Sequence, residues 1–120
     1  MWTSNKQSLG KDGEAHAQQF LKRLGYRILT TNYRAISGEI DIIAAENKTL
    51  VFIEVKTRRN ANYGSPLEAV NLAKQEKIRR TALHYLAAQN GAYLNYRFDV
   101  IALLPVLGKE WHIEHVVNAF

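Results

Sequence analysis

The stretch Gly38-Glu39-Ile40-Asp41-Ile42-Ile43-Ala44-Ala45-Glu46-Asn47-Lys48-Thr49-Leu50-Val51-Phe52-Ile53-Glu54-Val55-Lys56-Thr57 reads as two strands joined by a tight turn. Residues 39–45 and 50–57 are rich in β-branched and apolar types, and Glu46-Asn47-Lys48-Thr49 supplies the turn between them. A strand with one solvated face alternates apolar and polar residues along its length. Neither run does so. With a period of two, Glu39, Asp41, Ile43 and Ala45 share one face of the first strand, and Ile40, Ile42 and Ala44 share the other. On the second strand Leu50, Phe52, Glu54 and Lys56 share a face opposite Val51, Ile53 and Val55. Each strand thus has one face that is apolar throughout. Its other face is apolar near the turn and charged at the far end, as expected for a sheet covered on both sides. Antiparallel pairing with Ala45 opposite Leu50 sets Asp41 opposite Glu54 and Glu39 opposite Lys56.

The remaining elements extend outward from this hairpin. Residues 1–8 are polar and expected to be loose. Residues 9–24 carry a helical stripe of Glu14, Ala17, Leu21 and Leu24, with Lys22 and Arg23 in the last turn and Gly25 as the stop. Residues 26–34 form a first strand. Arg58-Arg59-Asn60-Ala61-Asn62-Tyr63-Gly64 is a basic, flexible loop. Ser65-Pro66-Leu67-Glu68 has the pattern of a helix start with a capping box, and the helix, with a restart at Asn71, runs to about Gln89 before Asn90-Gly91. Its buried stripe is Ile78, Ala82, Tyr85 and Leu86. Residues 97–104 and 111–117 are a fourth and a fifth strand, separated by Pro105 and Gly108. This order of elements predicts one α/β domain over residues 1–120, with a mixed central sheet of about five strands flanked by helices.

Composition narrows the chemistry. There is no run of about 18 apolar residues to span a membrane, and the first residues lack the apolar core of a secretory signal. Cysteine is absent, which excludes disulfides and thiolate metal sites and fits a cytoplasmic setting. The net charge of +5 favours polyanionic partners, nucleic acid first.

Bringing Asp41 and Glu54 together costs free energy through like-charge repulsion, and partial burial raises that cost. A divalent cation removes it, and oxygen-only ligands suit Mg²⁺ or Mn²⁺. Lys56 would sit where it can hold a water or offset developing negative charge. Arg58, Arg59 and Tyr63, in the loop beyond, could hold a nucleic-acid backbone. The plainer alternative is a salt bridge from Lys56 to Glu39 or Asp41 on an exposed patch, contributing about 0–1 kcal/mol. Asp99, inside a strand, is expected to form a structural ion pair with an arginine. Lys77, Arg79 and Arg80 are expected to form a solvated helix face. His112 and His115 lie on opposite faces of a strand, and neither they nor His16 and His84 form a metal cluster.

Asp41, twelve intervening residues, and then Glu54-Val55-Lys56 resemble the PD-(D/E)xK nuclease signature. Residues 10–100 resemble more closely the small bacterial YraN-like family, itself similar to archaeal Holliday-junction resolvases. The resemblance is carried by Gly10, Gly13-Glu14, Ala17, Gly25-Tyr26, Asn32-Tyr33-Arg34, Gly38-Glu39-Ile40-Asp41, Phe52 through Arg58, Gly64-Ser65-Pro66, Glu68-Ala69-Val70, Lys74 and Arg97-Phe98-Asp99-Val100. One departure is Leu72, where most members carry a proline. The resemblance implies a restriction-endonuclease-like fold and a metal-dependent endonuclease acting on DNA phosphodiester bonds, with branched or structured DNA as one substrate option. It implies Asp41, Glu54 and the backbone carbonyl of Val55 as ligands of Mg²⁺ or Mn²⁺. It further implies Lys56 as the catalytic lysine and Glu14 as an acid reaching the site from the first helix. Arg34, Arg58, Arg59 and Lys74 are the candidate nucleic-acid contacts. A homodimer would let a single-site domain cut two strands symmetrically. The alternatives are a nucleic-acid-binding module of the same fold without turnover, and an interaction protein using the surface around Trp2, Tyr63 and Tyr96.

Overall fold

A computed structural model describes residues 6–60, 62 and 64–120. Its elements are helix α1 (Lys6–Arg23), strands β1 (Arg27–Ala35), β2 (Gly38–Glu46) and β3 (Thr49–Thr57), a 3₁₀ turn (Pro66–Ala69), helix α2 (Leu72–Ala87), and strands β4 (Asn95–Leu104) and β5 (His112–Val116). The five strands form one mixed sheet in the order β1-β2-β3-β4-β5. Only β3 and β4 run parallel, joined by the crossover that contains α2, while the other neighbours are antiparallel. This is the restriction-endonuclease-like arrangement expected from the sequence. No described helix is long and apolar enough to cross a membrane.

Both sheet faces are covered. Ala17, Leu21 and Tyr26 pack with Ile42, Ala44, Val51, Ile53, Ile101 and Leu103 on the α1 side. Val70, Ile78 and Ala82 pack with Ile40, Ile43, Leu50, Phe52, Phe98 and Val100 on the α2 side. Complete burial of a large aliphatic or aromatic side chain stabilises by about 1.5–3 kcal/mol. The strands that carry the acids are therefore held from both sides.

The helix ends arise from local chemistry. At the end of α1 the N–H of Tyr26 donates to the Leu21 carbonyl and that of Gly25 to the Lys22 carbonyl, with Gly25 at φ 95°. This is a Schellman motif, and Leu21 and Tyr26 meet in the core beneath it. Leu24 turns outward, 53% exposed, and so leaves the stripe expected for it. The helix begins at Lys6, so residues 6–8 are helical rather than loose, and residues 1–5 lie outside the described residues. Asn71 caps α2 by accepting the Lys74 N–H at 2.9 Å. The restart at Asn71 thus forms with Leu72 as the first helical residue. The Ser65 capping box does not form: Ser65 makes no side-chain cap bond. A Cβ on Gly64 would overlap the Glu68 carboxylate, which therefore lies against the Gly64 backbone.

Candidate functional site: a fork between two strands

The β2–β3 ladder runs from Glu46–Thr49 through Ala45–Leu50 to Ile42–Ile53 and stops there. Beyond that point β2 continues paired only to β1, as far as Gly38, and β3 only to β4, as far as Thr57. The register at the turn is the one the sequence predicts, but the far ends of the strands part. Asp41 stands in the fork. Its Oδ2 accepts the backbone N–H of Val55 at 2.8 Å, replacing the ladder bond lost there.

The alternation of β2 breaks at the same residue. Ile40 packs on the α2 side with Ile43, whereas Ile42 packs on the α1 side with Ala44. The single face expected for Ile40, Ile42 and Ala44 is therefore corrected, because the chain turns over at Asp41. Across from it, between the pairs Thr31–Ile42 and Tyr33–Ile40, Asn32 takes a left-handed conformation at φ 52°. Such a value is uncommon outside glycine and best tolerated by asparagine.

Asp41 lies beside Glu54, and its pKa is pushed up to about 8. Burial is the largest cause, followed by the Glu54 charge, with Glu14 adding to it and the Val55 N–H opposing it. The Glu54 side chain is buried and forms an ion pair with the ammonium of Lys74, which reaches it from α2. Glu14 approaches from α1. Its pKa is raised by burial and by the Glu39 and Glu54 charges, against the pull of a hydrogen bond with the Asn32 side chain. The structure thus brings Asp41, Glu54 and Lys74 together, with Glu14 near enough to feel the Glu54 charge. Asn32 had no role in the sequence reading, although an asparagine inside a run of strand-forming residues is a usable signal for a kink.

Lys56 is exposed and shares a cleft of about 260 Å³ with Leu9, Gly10, Glu14, Val55, Thr57 and Arg59. It does not pair with Glu39. Once the strands separate, Glu39 instead meets Arg34 at 2.6 Å across the β1–β2 hairpin. The surface salt bridge that was the plainer reading of Lys56 is absent among the described ion pairs.

The other basic candidates are dispersed. Arg59 lies at the cleft and is exposed. Arg58 is buried, with its guanidinium donating to the Ser65 carbonyl at 2.8 Å and its backbone N–H to the Leu103 carbonyl. It anchors the loop, which is therefore fixed at that end. Arg79 lies over the rings of Phe98 and Phe120, 5.1 and 5.4 Å from their centroids. Tyr63 and Trp2 lie outside the described residues, while Tyr96 is half exposed and packs edge-on against Phe98.

Asp99 forms the arginine ion pair expected of it. It accepts from Arg97 at 3.0 Å and from the Asn118 N–H at 2.9 Å, and its Oδ2 is 2.7 Å from His115 Nε2. Burial pushes its carboxyl up, yet the bonds from His115, Arg97 and Asn118 together hold it below the ordinary value. His16 stacks on Trp111, and His112 lies beside Glu114.

Among the described residues no three His, Cys, Asp or Glu side chains converge as a ready metal cage. The fork nevertheless suits a hard divalent cation. Mg²⁺ and Mn²⁺ are commonly held by one or two carboxylates and keep several waters. Asp41 and Glu54 supply two carboxylates whose repulsion such an ion would relieve. The Val55 carbonyl lies on the same side of β3 as the N–H that Asp41 holds, facing the fork.

Comparison with known proteins adds the family. The sequence pattern of the uncharacterised protein family UPF0102 matches residues 13–103. A UPF0102 protein of Alkaliphilus metalliredigens is 47% identical over 94% of this chain and 97% of its own length. One of Geobacter sulfurreducens is 48% identical over 93% and 88%. One of Chlorobium phaeobacteroides is 50% identical over 93% of each. The matched region contains Glu14, Asp41, Glu54, Val55, Lys56 and Lys74. The chain belongs to the UPF0102 family.

Proposed function

We propose that this protein is a metal-dependent endonuclease that hydrolyses DNA phosphodiester bonds with Mg²⁺ or Mn²⁺. The observation that carries the reading is the pair of neighbouring carboxylates, Asp41 and Glu54, in a strand fork, with the backbone of Val55 fixed beside it. A fold rarely assembles two carboxylates at partial burial without a cation or a shared proton to offset their repulsion.

Asp41, Glu54 and the Val55 carbonyl would hold the ion, which would supply a water of lowered pKa and charge compensation at the phosphate. Among the described residues Lys56 pairs with no acid, and it projects from the strand that carries Glu54. Its ammonium is available to hold the attacking water or to offset negative charge developing at the phosphate. Glu14 contributes a third acid from α1, oriented by Asn32. The exposed Arg59, at the lip of the same cleft, suits a phosphate contact. Arg34 is also exposed, but would have to leave Glu39 to make one. A net charge of +5 favours approach to DNA. Branched or structured DNA, and a pair of copies cutting two strands, belong to the same proposal.

One observation favours a second reading. Lys74 forms an ion pair with Glu54 and can neutralise it, as it would in a binding module that does not turn over. A single assay separates the two. Labelled junction, flap and duplex DNA are incubated with the protein in Mn²⁺ or chelator, beside a Glu54→Ala/Lys56→Ala variant. Metal-dependent cutting that the variant loses supports the nuclease. Binding by both proteins without cutting supports the module.

A further inference from the structure

Lys74 occupies an unusual place. It lies in the first turn of α2, a turn that contains no acidic residue. The positive end of the helix dipole disfavours a cation there by about 0.3–1 kcal/mol. The helix does not explain the lysine, but Glu54 does. The ammonium contacts Oε2 of a side chain only 8% exposed, while the lysine itself remains 44% exposed. Its backbone is fixed, because its N–H is the one held by the Asn71 cap. The root of the side chain is thus anchored, while its flexible stem approaches the acid from the solvent side and can withdraw by the same route.

Charge balance sets the partner of the ammonium. One divalent ion balances an ionised Asp41 and Glu54, so Glu54 no longer needs the ammonium once such an ion is held there. A phosphodiester carries a single negative charge, which the released ammonium matches.

We propose that Lys74 is an exchangeable counter-cation. It neutralises Glu54 in the metal-free protein, yields that carboxylate to a divalent ion, and then turns to a phosphate of the bound DNA strand. The inference rests on the metal-site reading given above and assigns Lys74 a part that changes with the metal.

The test uses the full chain and two variants, Lys74→Gln and Lys74→Arg. Mn²⁺ affinity is measured by titration calorimetry without DNA. Removing the competing charge should tighten Mn²⁺ binding roughly threefold to fivefold in Lys74→Gln, the scale of one partly exposed ion pair. Lys74→Arg should stay near the wild-type affinity. The salt dependence of duplex binding is then measured on a Lys56→Ala background to suppress cutting. In Mn²⁺, Lys74→Gln should lower the log–log slope by about one phosphate contact. In chelator it should leave the slope unchanged, because the lysine is then engaged with Glu54.

Equal or weaker Mn²⁺ binding by Lys74→Gln, or the same loss of slope in chelator as in Mn²⁺, overturns the exchange and leaves the metal site standing. If neither wild type nor Lys74→Gln binds Mn²⁺, the metal-site reading falls, and the exchange falls with it.

Discussion

Asp41 and Val55 are joined by a hydrogen bond, 2.8 Å long, from the Val55 backbone N–H to the Asp41 carboxylate, at the point where β2 leaves β3. A side chain has taken the place of a ladder partner. The bond widens the sheet into a fork and holds a half-buried acid beside Glu54, where its charge is costly. A site that destabilises the fold in this way is a common mark of function.

Asp41→Asn should therefore stabilise the metal-free protein. The amide oxygen can still accept from Val55, while the repulsion with Glu54 disappears. The expected gain is about 1 kcal/mol, or roughly 3–4 °C in Tm, by calorimetry in chelator. Mn²⁺ should raise the Tm of wild type and leave that of the variant unmoved. A variant less stable than wild type in chelator would count against the strained pair.

The pH dependence has a definite sign. Below the ordinary aspartate value of 3.8, Asp41 is protonated in both folded and unfolded chains and contributes nothing to the slope. Between there and about 8 the folded state keeps a proton that the unfolded state has lost, so stability falls as pH rises. One such group sets a maximum slope of about 1.4 kcal/mol per pH unit. Glu14, also raised, acts in the same direction. Denaturant unfolding in chelator from pH 5 to pH 8 should show this decline, and Asp41→Asn should flatten it.

Asp99 has the opposite sign. Its pKa is held below 3.8, so its contribution is present above that value and is lost as pH falls through the lowered one. Asp99 is fully buried, and removing Arg97 would leave an uncompensated charge. Arg97→Met should cost about 3–5 kcal/mol. Arg97→Met/Asp99→Asn should cost less than the sum of the two single changes, and chemical denaturation of all three variants checks this.

Much of the fold is readable from the residues. The apolar runs on either side of Glu46–Thr49 fix the hairpin and its register, because a shift of one residue would turn every side chain to the wrong face. Gly25 and Asn71 mark helix ends by chemistry confined to a few neighbouring positions. The fork was not legible, because it depends on a side chain reaching across 14 positions to a backbone N–H. Strand period alone cannot show Ile40 and Ile42 entering opposite layers. The burial of Arg58 was also hidden, since its basic neighbours read as a solvated loop while tertiary contacts at Ser65 and Leu103 draw it in. Glu54 lies beside Asp41 and Glu14 lies near enough to raise its pKa, but Asn32 and Val55 rather than a regular ladder set this arrangement.

Gly13 sets how closely α1 approaches β3. A Cβ there would overlap Thr57 Oγ1 and lie 2.9 Å from its Cβ and 3.1 Å from its Cγ2. Gly13→Ala should cost about 1–3 kcal/mol through overpacking. Thr57→Ala should restore part of that loss by removing two of the three crowded atoms, as paired thermal melts would show.

The most direct measurement is anomalous diffraction from crystals grown in Mn²⁺. A peak coordinated by the carboxylates of Asp41 and Glu54 and the carbonyl of Val55, with Lys74 withdrawn from Glu54, is the predicted result. Ordered side chains at the fork with no manganese peak there, and Glu54 still bound to Lys74, would contradict it.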